Sequence, residues 1–320
     1  MKALALCLAL LAGVVASPGA QAQPWPGKPI KIVVGFAPGG GTDFIARVIA
    51  KKLGEQLNTQ VVVENRPGAG SMLGAEIVVK SPPDGYTLLV NGASYTVNPS
   101  AYKLAFDPIN DITPIAQLSL GPYVVAIHPG LRAATLQEFV ALAKRDPDKF
   151  VYASSGNGSQ VHLGTEYLLR TTGIRMIHVP YKGTGPALAD TVAGNTHLIL
   201  GSVATTLQQV KSGRLRALAV TTPKRIAAAA DVPTVAESGY PSYEVTNWHG
   251  LVGPKGLPPE IVERLNKEVN LALKTDEVKK ILASDGLEPA GGTAAEFGVI
   301  VRSEVARWRD VARQVGLKVE

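Results

Sequence analysis

The chain has 320 residues, with 32 lysines and arginines against 26 acidic residues and a net charge of +6. Its 46% hydrophobic content supplies core for one large domain or two of roughly 100–200 residues each. Only 6% of residues are aromatic and no run of five basic residues occurs, which argues against a nucleic-acid interface.

Lys2 gives a short positive start, and Leu4 to Val15 is an apolar run rich in Ala and Leu. Pro18 and Gly19 break the run, and Ala20-Gln21-Ala22 is a small-x-small cleavage site. This is the layout of a secretory signal peptide over residues 1–22, of the Gram-negative type, cleaved after Ala22. The expected destination is the periplasm. Cys7, the one cysteine, lies inside that peptide and follows Leu6, a poor context for lipidation. The processed chain then has no thiol for a disulfide, a thiolate metal site or a nucleophile. No later apolar run reaches the roughly 18–20 residues that span a bilayer, so the protein is not expected to be membrane-embedded.

From residue 30 the pattern is strand, glycine-rich loop, helix, repeated. Ile30 to Phe36 reads as a buried strand, broken by Ala37-Pro38-Gly39-Gly40-Gly41. Phe44, Ile45, Val48, Ile49, Leu53 and Leu57 then recur at helical spacing, with Thr42 or Asp43 placed to cap that helix. Gln60 to Val63 is a second strand, Ser71 to Lys80 a helix, and Tyr86 to Val90 a third strand.

Tyr123 to Ile127 begins a second series. Helices are expected at 135–145, 160–170, from Pro186, and at 205–211. Strands are expected at 150–153, 176–179, 197–200 and 215–220. Such alternation implies parallel α/β sheets. Residues 223–244 read as loop, and the chain after Gly256-Leu257-Pro258-Pro259 reads as helical to Val315.

Four glycine-rich loops each follow a strand and precede a helix: Pro38 to Asp43, Arg66 to Ser71, Ser154 to Ser159, and Gly183 to Gly185. Ligands of open α/β sheets bind at the carboxyl ends of strands, where helix N-termini offer free N–H groups and partial positive charge. Any one loop reads equally as a tight turn. Four together, two per presumed half, point to one cleft that grips a carboxylate. The loop Gly68-Ala69-Gly70-Ser71-Met72-Leu73-Gly74 mimics a dinucleotide fingerprint, but its spacing is G-x-G-x-x-x-G and it follows the second strand. No cofactor is implied, and no metal site.

Catalytic patterns are sparse. Ser159 and His162 stand three residues apart and could touch on one helix face, which leaves open an exported hydrolase or lyase using that pair. A capping serine and a structural histidine explain the spacing equally well. His128, His178, His197 and His249 are isolated, without carboxylates at metal-ligand spacing.

The chain closely resembles the substrate-binding proteins of tripartite tricarboxylate transporters, the Bug family, over nearly its whole length. The resemblance rests on Val34-Gly35-Phe36-Ala37-Pro38-Gly39-Gly40 with Asp43, and on Val63-Glu64-Asn65-Arg66-Pro67-Gly68-Ala69-Gly70. It rests also on Ser81-Pro82-Pro83-Asp84-Gly85-Tyr86-Thr87-Leu88, on Tyr152-Ala153-Ser154-Ser155-Gly156-Asn157-Gly158-Ser159 with His162, and on Val179-Pro180-Tyr181-Lys182-Gly183. It implies an α/β, two-lobed periplasmic binding protein fold of type II. Each lobe would be a mostly parallel sheet flanked by helices, with the ligand cleft between them. Residues 23–122 plus 247–320 would form lobe 1, to which the C-terminal helices return, and residues 123–246 lobe 2. Hinges are expected near Leu120–Tyr123 and Val245–Asn247.

The same resemblance implies capture of a small organic carboxylate, a di- or tricarboxylate or an aromatic acid, and no enzymatic activity. First-lobe contacts would come from Pro38, Gly39, Gly40 and Gly41, with Asp43 ordering the loop, and from Gly68, Ala69 and Gly70. Second-lobe contacts would come from Ser154, Gly156, Gly158, Ser159 and His162, and from Lys182, Gly183 and Thr184. The protein would be a monomer that meets two transporter membrane subunits transiently, or a solute sensor for a membrane signalling partner. One departure stands out. Members usually read glycine-glycine-glutamine-valine-aspartate after the helix from Pro186, whereas this chain reads Gly194-Asn195-Thr196-His197, and Gly201-Ser202 follows with no acid. A ligand amine would lack an acidic partner there, so a carboxylate without an amine is expected.

Overall fold

The computed structural model describes residues 25–284 and 286–317. The expected signal peptide and its cleavage site lie outside them. The first third of the chain is built from β1 (Ile30–Val34), α1 (Gly41–Leu57), β2 (Val61–Asn65), α2 (Met72–Val79), β3 (Thr87–Gly92) and the short α3 (Ser94–Val97). Strand β1 lies between β2 and β3, parallel to both. Ile45, Ile49, Leu53 and Leu57 of α1 follow the 3.6-residue period and are buried against Ile32, Val34, Leu88 and Val90.

The second series comprises α4 (Leu136–Arg145), β5 (Val151–Ser154), α5 (Gln160–Thr172), β6 (Ile177–Pro180), α6 (Thr184–Val192), β7 (Leu198–Ser202), α7 (Val203–Lys211) and β8 (Arg216–Val220). Strand β5 is parallel to β6 and β7. Phe139, Tyr152, Leu163, Leu168 and Leu200 share its core.

Between the two series runs β4 (Ile112–Ile127), 16 residues long. Its residues 112–122 pair antiparallel with β9 (Thr246–Pro254), and residues 123–127 pair antiparallel with β7. One ten-stranded sheet results, parallel towards its two ends and antiparallel in the middle. The sequence pattern predicts strand only from Tyr123, whereas residues 112–122 and β9 are strand as well. Pro114 and Pro122 remove ladder donors from β4, and the register shifts between Pro114 and Ala116. Gly121 is required where the chain passes closest, because a Cβ there would lie 2.8 Å from the Gly286 carbonyl oxygen.

The chain ends with α8 (Pro259–Lys274), α9 (Asp276–Ser284), β10 (Glu288–Gly291) and α10 (Ala294–Val315). A capping box opens α10: the Thr293 hydroxyl accepts from the Glu296 N–H, and the Glu296 carboxylate accepts from the Thr293 N–H. Phe297 and Val301 of α10 join the cluster around Val33, Leu89 and Trp248. Its last turns, with Trp308, Val311 and Ala312, join the cluster around Tyr152 and Leu163. One helix therefore straps both halves of the sheet. Among the described residues no helix is long and apolar enough to cross a membrane.

Candidate functional site

The first glycine loop lies between β1 and α1. The helix begins at Gly41 with the extended Gly40 as its cap and no side-chain cap, so neither Thr42 nor Asp43 caps it as expected. Asp43, buried in the first turn, instead reaches back. Its Oδ2 accepts from the Gly39 N–H at 3.2 Å, its Oδ1 from the Asn65 amide at 2.9 Å, and both oxygens bond Arg47. Burial pushes the Asp43 carboxyl up, but the Arg47 guanidinium, the Asn65 amide and the Gly39 N–H outweigh it and hold it below the usual carboxylate range. Both oxygens are thus committed to the scaffold.

The second loop carries positive φ at four consecutive residues, Gly68, Ala69, Gly70 and Ser71. At Gly70 this is enforced by space as well: a Cβ would lie 2.5 Å from the Asn157 carbonyl oxygen and from Asn98 Oδ1. The Asn98 amide holds the turn by donating to the Gly70 carbonyl at 2.8 Å.

In the third loop the Ser154 hydroxyl accepts from the Gly156 N–H at 3.1 Å and lies 2.6 Å from His178 Nε2. Ser159 caps α5, its hydroxyl accepting the His162 backbone N–H at 3.2 Å. The His162 ring turns away to accept the Gly158 N–H on Nδ1 and stacks on His178 at 4.0 Å between centroids. Burial pushes His162 down to about 4. The Ser159–His162 spacing is therefore a helix cap with a turn-bracing imidazole, not a nucleophile aimed at a base.

The fourth loop meets the first. The Ala37 N–H donates to the Lys182 carbonyl at 2.8 Å. Cβ atoms at Gly183 and Gly185 would fall 3.1 Å from Ala37 N and 2.7 Å from the Pro38 carbonyl oxygen. Across the second and third loops, the Tyr102 hydroxyl donates to the Asn157 carbonyl at 2.7 Å.

Two adjacent spaces lie among these loops, sharing Phe36 and Ser155 as walls. The outer one, about 250 Å3, is lined by Gly68 to Ser71, Tyr102, Gly156, Asn157 and Lys182. The inner one, about 20 Å3, is lined by Gly40 to Thr42, Ser94, Tyr123, Thr184, Ser202, Asn247 and His249. Helices α1, α6 and α7 all point their N-termini at the inner space. Among the described residues, no acidic side chain lines either space, and Lys182 is the one charged residue that does. No group of His, Cys, Asp or Glu among them could hold a metal ion.

The model of the tripartite tricarboxylate transporter family receptors matches residues 45–317. The chain belongs to that receptor family. Among solved structures it is similar to the R. palustris protein Rpa4515 with adipate, at 34% identity and a TM-score of 0.90, covering 92% of this chain and 100% of that one. It is similar also to the periplasmic binding protein BugD, at 32% identity and a TM-score of 0.89, covering 92% and 100%. MatC from Rhodopseudomonas palustris with bound malate matches at 31% identity and a TM-score of 0.85, covering 90% and 100%. The chain is thus a periplasmic binding protein of the Bug type, with the two-lobed α/β fold expected.

In this receptor the sequence-named loop residues Gly40, Gly41, Gly68, Ala69, Gly70, Gly156, Lys182 and Thr184 converge on the two spaces. Pro38 and Gly39 face α6 on the outer side of the loop instead. Asp43, Ser154, Gly158, Ser159 and His162 brace the loops from behind. The His197 departure also falls away from the cleft. His197 precedes β7, at the end opposite Ser202, and its Nδ1 accepts the Val151 N–H at 3.0 Å. Sequence reasoning missed Ser94, Asn98, Tyr102, Ser202, Asn247 and His249. The last two alternate with buried Trp248 along β9, a signal visible only once that segment is known to be a strand.

Proposed function

We propose that this receptor captures a small organic carboxylate without an amine between two closing lobes, and delivers it to the membrane subunits of a tripartite transporter. The observation that carries this reading is the meeting of four glycine loops and three helix N-termini around a space lined by no acid. Backbone N–H groups and helix dipoles hold an anion without a buried counter-charge. An ammonium group would find no anionic partner, since no acid lines the spaces and both Asp43 oxygens are engaged. Adipate and malate, held by two similar proteins, are ligands of this class.

The lobes we propose divide at Pro122 and Thr246. Support comes from β4, which exchanges its β9 partner for β7 at that point. Ligand favours the closed form through contacts made only when both loop sets meet it. We propose that the signal peptide is removed after Ala22 as the chain is exported.

A thermal-shift screen of malate, adipate, citrate, benzoate and aspartate tests the reading. Ligand at a hundredfold excess over Kd stabilises the native state by about 2.7 kcal/mol. A shift with one class of acid supports the proposal. Shifts with amino acids alone, or with none of these compounds, end it.

A further inference from the structure

His249 stands on the floor of the inner space and is 1% exposed. It enters from β9, whose alternation sends Trp248 into the core on one face and Asn247 and His249 towards the cleft on the other. Its Nδ1 lies 3.0 Å from the hydroxyl of Ser119 on β4, a residue fully buried at 0% exposure. A buried hydroxyl proton needs an acceptor, and no other hydrogen-bond partner of Ser119 Oγ stands within reach among the described residues. The network therefore assigns the Nδ1 lone pair to Ser119 and the ring proton to Nε2.

Nε2 faces the start of α1. A Cβ built on Gly41 would lie 3.7 Å from it. Helix α1 is 17 residues long, and its cap, Gly40, supplies no side chain to satisfy the first N–H groups. Ser202, the cap of α7, also makes no side-chain cap bond and lines the same space. With Thr184 at the start of α6, the inner end thus combines an almost wholly buried imidazole N–H with three helix N-termini and no acid. It presents ring and backbone donors and positive potential, with neutral hydroxyls and the Asn247 amide but no anionic acceptor.

We infer that His249 is the specificity-determining residue for the inner end of the ligand, donating from Nε2 to an oxygen of a second carboxylate, with Ser119 as the positioning residue that fixes its tautomer. This rests on the carboxylate reading above and narrows it to dicarboxylates. The first carboxylate takes the outer loops beside Lys182, and the chain of the acid passes Phe36 and Ser155. The second carboxylate reaches His249. The inner space, about 20 Å3, is narrow beside the outer one of about 250 Å3. A monoacid would bury the His249 N–H against a methyl group and leave it unpaired.

Isothermal titration with adipate against hexanoate, and succinate against butyrate, tests the inference on the wild type, His249→Ala and Ser119→Ala. The wild type should bind at least one diacid about tenfold or more tighter than its monoacid partner. His249→Ala should bring that ratio within about twofold by weakening the diacid and not the monoacid. A merely structural role would weaken both acids alike. Ser119→Ala should lower the ratio in part, and histidine-selective NMR should show the Nε2–H form of His249 giving way to a tautomer mixture. A diacid preference that survives in His249→Ala overturns the inference while leaving the carboxylate reading intact. A wild type that binds mono- and diacids equally does the same. A wild type that binds none of the four acids overturns the inference, and the carboxylate reading then falls only if malate, citrate and benzoate also give no thermal shift.

Discussion

The Ala37 N–H donates to the Lys182 carbonyl at 2.8 Å, joining the loop after β1 to the loop before α6. Beside this bond Gly185 sits where a side chain would press on the Pro38 carbonyl. Gly185 does not need a positive φ, so a larger residue there strains contact between loops rather than its own backbone. Gly185→Val should change unfolding free energy by less than about 1 kcal/mol yet weaken acid binding about tenfold or more. Small-angle scattering should show the variant staying wider in the presence of ligand. Unchanged affinity would mean that this contact is no part of closure.

Asp43 gathers Gly39, Arg47 and Asn65 around one buried carboxylate. Removing it leaves the Asn65 amide and the Arg47 pair without their partner. Asp43→Ala should cost about 2–3 kcal/mol in urea denaturation and loosen the first loop. Arg47 is half exposed, so Arg47→Ala should cost less. Equal losses for the two would place the stabilisation in the ion pair rather than in the loop bonds.

Two buried histidines set an acid limit. Burial holds both His162 and His249 at about 4, against an ordinary value of 6.5. Between these values the unfolded chain binds protons that the folded protein does not. Stability is therefore full above about pH 6.5 and falls as the pH drops towards 4, by about 1.4 kcal/mol per pH unit for each histidine. Urea denaturation at pH 7.5, 6 and 5 reads this directly. Stability that stays flat from 7.5 to 5 would contradict the burial of both rings.

Trp308 is 1% exposed, and its indole N–H donates to Glu304 at 2.9 Å. It anchors the end of α10 in the core around Tyr152. Trp308→Ala should cost about 3–5 kcal/mol, because the cavity it leaves sits under a strap that cannot collapse inward. A loss below about 1 kcal/mol would show that the last turns of α10 are dispensable.

The local units of this receptor were legible because their signals are short-range. Strand runs, glycine loops and helix periods at residues 30–57, 60–80 and 150–170 all reappear within a few residues of where the sequence puts them. Residues 112–122 of β4 and the whole of β9 were not, since Pro114, Pro122, Gly250 and Gly253 disguise two long strands. Their identity depends on pairing with each other, more than a hundred residues apart.

By itself the sequence determined the class of fold, the four loops and the glycines within them. Those depend on backbone conformations a few residues long, which Gly70 and Gly183 allow and a Cβ would forbid. Only the tertiary structure decided what the loops enclose. It turned Ser159 and His162 into a cap and a brace, carried His197 away from the cleft, and brought His249 to its floor. Ser119 and His249 meet across 130 residues because β4 and β9 run antiparallel through the middle of the sheet. Side-chain chemistry at that distance is set by strand pairing, and strand pairing is the sum of many long-range contacts that no local pattern records.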